Sequence, residues 1–228
     1  MDNLLILIPS LAIMLWLCCW LIKKIPEHLL AEYLADQAEI ATYQLPPAEK
    51  YHLYTALITC STLFILIIGY VQPSSNIKLA LLLIFSWSTV LMATIDWRAR
   101  LLTDNTVYPL LWLGLIANTM NIFCSPTQAI YGAIFCYLIF WSFNKLYFLI
   151  AKKNTIGNGD MKMAAALGAW FGIQQASALL LIICLIGLPV GLIFMCFIKK
   201  NPKMEKTVPF GIPLALGSWI YYALYQLN

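Results

Sequence analysis

The stretch Gly157-Asn158-Gly159-Asp160 places an acidic residue at the start of a long apolar run. Residues 161–172 read Met-Lys-Met-Ala-Ala-Ala-Leu-Gly-Ala-Trp-Phe-Gly and are small or apolar apart from one lysine. Small side chains let neighbouring membrane helices approach closely, and ionisable groups at membrane depth are costly and usually functional. We therefore predict a tightly packed helix that points Asp160 at a partner or a crevice, after two glycines that free the backbone. Taken alone, a glycine turn with a solvated acid explains the stretch as well.

The composition excludes a soluble globular domain. Of 228 residues, 62% are hydrophobic and only 11% are charged, which is far from the usual balance of soluble domains. Spans of about 20 residues each would consume most of such a chain. We therefore predict an all-α, polytopic membrane protein forming one integral-membrane domain over residues 1–228. Its formal net charge of +4 then reports membrane topology, and we expect no nucleic-acid partner.

Apolar runs separated by polar turns predict about eight transmembrane helices. A hydrophilic loop at about 23–53 follows the first span. We interpret this first span as retained, because nothing there resembles a removable signal peptide with a small-residue cleavage site. Residues 172–175 contain a glycine and two glutamines and divide an apolar run that is too long for one crossing. The predicted spans are about 4–22, 54–71, 79–95, 107–123 and 129–150, two within 164–198, and 208–225.

The positive charges test this arrangement. If alternate loops share one side, nearly all lysines and arginines fall on that side, which the positive-inside rule identifies as the cytoplasm. The opposite side holds only Lys78, and Lys145 lies within the fifth span. Both termini are then predicted outside the cytoplasm. The cytoplasmic set is Lys23, Lys24, Lys50, Arg98, Arg100, Lys152, Lys153, Lys162, Lys199, Lys200, Lys203 and Lys206.

Cysteine spacing gives no indication of a metal site. The chain has seven cysteines, and most lie within apolar runs without a CxxC pair. Zinc sites use closely spaced ligands near water, whereas isolated cysteines in apolar runs act as small hydrophobic residues. We therefore predict no bound metal.

Three acids share the predicted cytoplasmic edge. Asp96 ends the third span, Asp160 begins the sixth, and Asp104 precedes the fourth. Two close carboxylates in a poorly solvated site do not ionise together, so one keeps a proton while the other stays charged. That pairing suits peptide hydrolysis, because the ionised acid takes a proton from water and the neutral acid hydrogen-bonds the scissile carbonyl.

The residues alone leave several alternatives open. Asp104 is either the partner of Asp160 in place of Asp96 or a cap for the fourth span. Lys162 either tunes the pair through its charge or, as we expect, snorkels to the membrane surface. Intramembrane acids also serve proton-coupled transport, although these acids lie at one membrane edge and the chain lacks an internal repeat. A non-catalytic assembly scaffold is the remaining alternative.

Three stretches together resemble the type IV prepilin peptidases, which are GxGD-type aspartic membrane proteases. The first runs from Ile95-Asp96 through Leu102-Thr103-Asp104 to Leu115, the second covers 157–170, and the third is Val208-Pro209-Phe210-Gly211. The resemblance implies that Asp96 and Asp160 are the catalytic pair, supported by Gly157, Gly159 and Lys162. It also implies cleavage of a short basic leader from a prepilin or pseudopilin, after a glycine, at the cytoplasmic face of the bacterial inner membrane.

The resemblance also bears on cofactors. Many members methylate the new amino terminus with S-adenosylmethionine, so this cofactor is implied only if methylation is retained, and proteolysis needs none. Many also carry a zinc-binding insert with two CxxC pairs, whereas residues 23–53 here contain no cysteine. We expect prepilin or pseudopilin and membrane lipid as partners.

Overall fold

The computed structural model describes residues 76–99, 102–152, 156–200 and 209–227. Within these ranges the chain is helical and forms no β-strand, as the all-α prediction requires. The first two predicted spans and the loop at 23–53 lie outside the described residues. The helices are α1 (Asn76–Ala99), α2 (Asp104–Thr119), α3 (Pro126–Ala151), α4 (Asn158–Phe171), α5 (Ile173–Lys200) and α6 (Gly211–Leu227).

Local sequence signals explain the ends of α3. Ser125 accepts a hydrogen bond from the Gln128 backbone N–H at 3.3 Å, and Gln128 Oε1 accepts one from Ser125 N–H at 3.2 Å. This reciprocal capping box, followed by a proline at the first helical position, starts the helix. Lys152 ends it in the left-handed conformation, with φ 56°.

The break between α4 and α5 falls at Gly172, inside the predicted boundary at 172–175. Gly172 has φ +79°, which side chains rarely adopt, and an added Cβ would lie 2.9 Å from Cys124 Sγ. Its N–H donates to the Gly168 carbonyl oxygen at 2.8 Å and closes the last turn of α4. The predicted division of the long apolar run is therefore confirmed.

Three of the described helices are long and apolar enough to cross a membrane. They contain the segments Asn76–Trp97, Pro126–Ala151 and Ile173–Met195. Helices α2, α4 and α6 have 16, 14 and 17 residues, and at about 1.5 Å per residue they are shorter than a hydrocarbon core of about 30 Å. The membrane-type helical architecture is confirmed, whereas the count of eight spans stays a prediction.

Helix α4 packs against α3 through two glycines. A Cβ added to Gly168 would overlap the carbonyl oxygen of Gly132, and one added to Gly132 would overlap that of Gly168. The two backbones are therefore in direct contact, as the run of small residues predicted. This contact fixes where along α3 the helix that carries Asp160 begins.

Helix α2 holds the other end of α4 with buried polar contacts. Trp170 Nε1 donates to the Leu110 carbonyl oxygen at 2.9 Å, and its indole occupies the space above Gly114. The Asn118 side chain donates to the Ala169 carbonyl oxygen at 2.8 Å and accepts from Phe123 N–H at 3.0 Å. Both groups satisfy backbone atoms that would otherwise be buried without partners.

Successive helices run in alternating directions, which gathers their termini at two ends of the bundle. The end of α1 meets the start of α6, where Asp96 contacts Gly211, and Leu102 before α2 contacts Gly159 in α4. We call this the acidic end, because Asp96, Asp104 and Asp160 all lie there. At the opposite end, Tyr221 donates to Gln175 Oε1 at 2.8 Å.

Candidate active site

Asp160 lies in the first turn of α4 with its two carboxyl oxygens in different environments. Oδ2 accepts a hydrogen bond from the Gly157 N–H at 3.3 Å, which helps to start the helix. Oδ1 is buried and has no hydrogen-bond partner. Buried polar atoms without a partner are rare in folded proteins, and they are often found at functional sites. Asp160 Oδ1 is therefore available to form a hydrogen bond with a bound molecule.

The environment of Asp160 favours its protonated form. Burial, as the larger cause, and the negative charge of Asp96 together raise the pKa of Asp160 to about 7, while the Gly157 N–H acts in the opposite direction. Asp160 lies outside the three helices that qualify as membrane spans. The structure thus brings Asp96 and Asp160 close enough for their charges to interact, and at neutral pH a large share of Asp160 carries a proton.

Asp96 is buried near the end of α1, the most enclosed of the three long helices. Its Oδ2 accepts a hydrogen bond of 2.7 Å from the N–H of Gly211, the first residue of α6. A helix amino terminus offers free N–H groups and partial positive charge, which suit a carboxyl oxygen as hydrogen-bond acceptor. The two acids therefore meet different environments: Asp96 is bonded to a helix amino terminus, whereas one carboxyl oxygen of Asp160 has no hydrogen-bond partner.

Gly211 is a site residue to which the sequence analysis gave no role. A Cβ at this position would lie 3.0 Å from both Cβ and Oδ2 of Asp96. The available signal was the stretch ending Pro209-Phe210-Gly211, which was noted only for its resemblance to a family. A glycine after a proline at a helix start also marks a place where backbone N–H groups can face a ligand.

We expect Gly211→Ala to reduce turnover by about tenfold, because Asp96 would have to move by a few tenths of an ångström and the reacting groups would be misaligned. The measurement is kcat, with the thermal unfolding temperature recorded alongside. Gly191→Ala is the matched control, since nothing lies within 4 Å of a Cβ added there. Equal kcat in both variants would contradict a positioning role for Gly211.

Gly157 and Gly159 matter because they lack a side chain and leave room for neighbouring atoms, and not because they adopt unusual backbone conformations. Gly157 has φ −67°, which any residue adopts, and among the described glycines only Gly172 has a positive φ. The prediction that these two glycines free the backbone is therefore wrong. Gly159 instead leaves room for Leu102, whose Cβ would lie 2.6 Å from an added Cβ. The loop before α2 thus packs directly on the glycine motif.

Asp104 and Lys162 form an ion pair at the acidic end, with 2.5 Å between Lys162 Nζ and Asp104 Oδ1. The Lys162 ammonium also lies 5.2 Å from the centre of the Tyr108 ring. The bond to Asp104 is the largest of the effects that raise the pKa of Lys162. A nearby carboxylate therefore holds the Lys162 ammonium, whereas snorkelling of Lys162 to the membrane surface stays a prediction.

The cap alternative for Asp104 is also wrong. Thr103 occupies the N-cap position of α2, and Asp104 is the first helical residue. An acid there still interacts favourably with the helix dipole. Its side chain, however, is bound to Lys162.

Asn144 is a second residue that the sequence analysis missed. It lies within the apolar helix α3, and its Oδ1 accepts a hydrogen bond of 3.2 Å from the N–H of Ile156. Ile156 directly precedes the glycine motif, so this bond ties the motif to α3. A polar amide in a long apolar helix was the signal that would have found it.

The described residues contain no cluster of metal-ligating side chains. No group of three or more histidine, cysteine or acidic side chains that could hold a metal occurs within 76–99, 102–152, 156–200 and 209–227.

Comparison with known proteins matches the segment that carries both buried acids. The model of the Type IV leader peptidase family matches residues 82–192. This segment extends from α1 into α5 and contains Asp96, Asp104 and Asp160. No solved structure gives a significant match.

Curated relatives agree with the family match. A protein named prepilin leader peptidase/N-methyltransferase from Pseudomonas aeruginosa is 40% identical over 139 residues, covering 61% of this chain and 47% of the relative. Proteins of the same name from Aeromonas hydrophila and Legionella pneumophila are 36% and 38% identical, covering 78% and 64% of this chain and 59% and 50% of the relatives. The chain thus spans about half the length of the curated relatives it matches. The resemblance predicted from the sequence is confirmed, and residues 82–192 of the chain match the type IV leader peptidase family.

Proposed function

We propose that this protein is a membrane aspartic endopeptidase that removes the leader peptide of type IV prepilins or pseudopilins. The observation that carries the proposal is a pair of buried acids in different environments. Asp160 Oδ1 has no hydrogen-bond partner, and the charge of Asp96 helps to raise the pKa of Asp160. The names of the relatives support the substrate class. The bond cleaved follows a glycine and precedes the apolar helix of the substrate.

In this proposal Asp96 is the general base. Its carboxylate, held by the Gly211 N–H, takes a proton from a water molecule as the water oxygen attacks the scissile carbonyl carbon. Asp160 is the acid, and its protonated carboxyl donates a hydrogen bond to the carbonyl oxygen. The proton that Asp96 took from water is then transferred to the nitrogen of the scissile bond. The C–N bond breaks, and the leader is released with a new carboxyl terminus.

The neutral form of Asp160 gives cleavage a pH dependence. We expect kcat/KM to fall as the pH rises through about 7, because the raised pKa of Asp160 keeps the donor protonated only below that value. Well above pH 7 the fall is tenfold per pH unit. The measurement is kcat/KM from pH 5 to 9 with a wild-type stability control at each pH. Constant kcat/KM between pH 7 and 9 would contradict the assignment of Asp160 as the acid.

The proposed membrane arrangement places this pair at the cytoplasmic face of the bacterial inner membrane. Residues 1–228 form one domain with about eight spans, and the basic loops flank the acidic end. Helices α3 and α5 expose large apolar side chains, including Trp141, Phe143, Leu188 and Leu192. Such surfaces suit lipid and the apolar helix of a prepilin, which positions the bond that follows the leader.

Co-expression with a prepilin that has a Gly-Phe junction tests the proposal. Wild-type protein is expected to shorten the prepilin by the mass of its leader, whereas an empty vector leaves it intact. An added methyl mass on the product would reveal N-methylation as a second activity. Uncleaved substrate across several prepilins would overturn the proposal and favour a transporter or an assembly scaffold.

A further inference from the structure

We propose that Asp104 and Lys162 form a positioning latch that holds Asp160 in its productive place. The latch consists of this ion pair together with the contact of Leu102 on Gly159. It rests on the proposed peptidase function and assigns a role to an acid that is not part of the catalytic pair. Neither Asp104 nor Lys162 touches the reacting atoms in this role.

The latch joins the starts of two helices at the acidic end. Asp104 is the first residue of α2, and Lys162 follows Asp160 by two positions in the first turn of α4. Between them, Leu102 packs so closely on Gly159 that an added Cβ would lie 2.7 Å from the Leu102 carbonyl oxygen. The ion pair therefore clamps the turn that presents Asp160 against the loop that follows α1.

Tyr108 restricts the orientation of the Lys162 ammonium in the latch. Its ring lies one helical turn after Asp104 on α2, and the Lys162 ammonium sits 5.2 Å from the ring centre. An ammonium held by a carboxylate and an aromatic face has fewer orientations than one held by a carboxylate alone. The Lys162 side chain is thereby held against α2, and its ammonium stays paired with the Asp104 carboxylate.

The Asp104–Lys162 pair is partly exposed, which distinguishes it from the buried acids and limits its contribution to folding stability. The side chains of Lys162 and Asp104 are 27% and 52% exposed, and such surface ion pairs contribute little to folding stability. Asp160 Oδ1, in contrast, is buried beside the Asp96 charge. A proton donor in a site that excludes water must be buried, as Asp160 is, so the exposed Asp104 is a poor candidate for the acid.

Charge reversal tests the latch. Asp104→Asn and Lys162→Met are each expected to lower kcat by about 10- to 100-fold with KM within about twofold, because small misplacements of a catalytic group cost that much. The exchange variant Asp104→Lys/Lys162→Asp restores the pair with its charges reversed and is expected to recover kcat to within about fivefold of wild type. Lys145→Met, which removes a lysine near Phe148, is the control and retains wild-type kcat.

Each other outcome overturns a specific part of the account. If the exchange variant is as inactive as Asp160→Asn while Lys162→Met is fully active, Asp104 acts as a direct acid and the latch is wrong. If both single variants keep wild-type kcat, the ion pair positions nothing. Unfolding temperatures of all variants separate lost turnover from lost fold, and rescue by the exchange variant would still support the latch if a single variant failed to fold. Wild-type protein without cleavage would instead reject the peptidase function itself.

Discussion

Asp160→Asn is expected to lower kcat for leader cleavage by about a thousandfold or more. Asparagine fills the same space but cannot transfer a proton, and general acid or base groups contribute about 10² to 10⁴ in rate. Asp96→Asn is expected to cost as much, because the attacking water then lacks a base. The measurement is single-turnover cleavage of a purified prepilin in detergent or liposomes.

The two substitutions should not add. Two groups that act in one chemical step lose most of their joint effect when either is removed, so the double variant should be about as inactive as each single variant. Asp104→Asn is the comparison. Its kcat should be about tenfold or more above that of Asp160→Asn, since the substitution affects only the position of Asp160. If Asp104→Asn were inactive and Asp96→Asn active, the partner of Asp160 would be Asp104.

Gly168→Val is expected to cause the largest loss of stability. Its side chain would overlap the Gly132 carbonyl oxygen, and a backbone atom of a packed helix cannot move aside as a flexible side chain can. Separating α3 from α4 should lower the free energy of unfolding by about 3 kcal/mol or more, at the upper end of overpacking effects. Thermal unfolding in detergent and the folded yield are the measurements.

Gly191→Ala is the matched control for this prediction. Gly191 also lies within a helix, but a Cβ added there meets nothing within 4 Å. Alanine has the higher helix propensity, so stability should be unchanged or higher by up to about 1 kcal/mol. A Gly168→Val protein with the unfolding temperature of wild type would show that the helices are not in backbone contact.

The sequence predicted the long helices and the break at Gly172 because these depend on local information. A 26-residue apolar helix with a capping box at its start can be recognised from neighbouring residues alone. The short helices were harder to predict. Apolar residues continue beyond α2 to Phe123, but Asn118 binds the backbone of the turn that follows and ends the helix at Thr119.

The candidate site was predictable in its acids but not in the groups that surround them. Asp96, Asp104 and Asp160 are unusual residues at the edges of apolar runs, so the sequence pattern selected all three. The family resemblance implied which two of them form the pair. The bond from Gly211 to Asp96 joins positions 115 residues apart, and no local pattern specifies such a contact. The ion pair of Lys162 with Asp104 could not be predicted for the same reason, because the two residues are 58 positions apart.

Mass spectrometry of a purified prepilin incubated with the purified, reconstituted protein tests the central claim most directly. The account predicts two products, a leader ending in glycine and a mature chain, whose masses sum to that of the prepilin plus one water. Asp96→Asn and Asp160→Asn proteins should leave the prepilin intact under the same conditions. The same two products from either variant, at the wild-type rate, would contradict catalysis by this pair of acids.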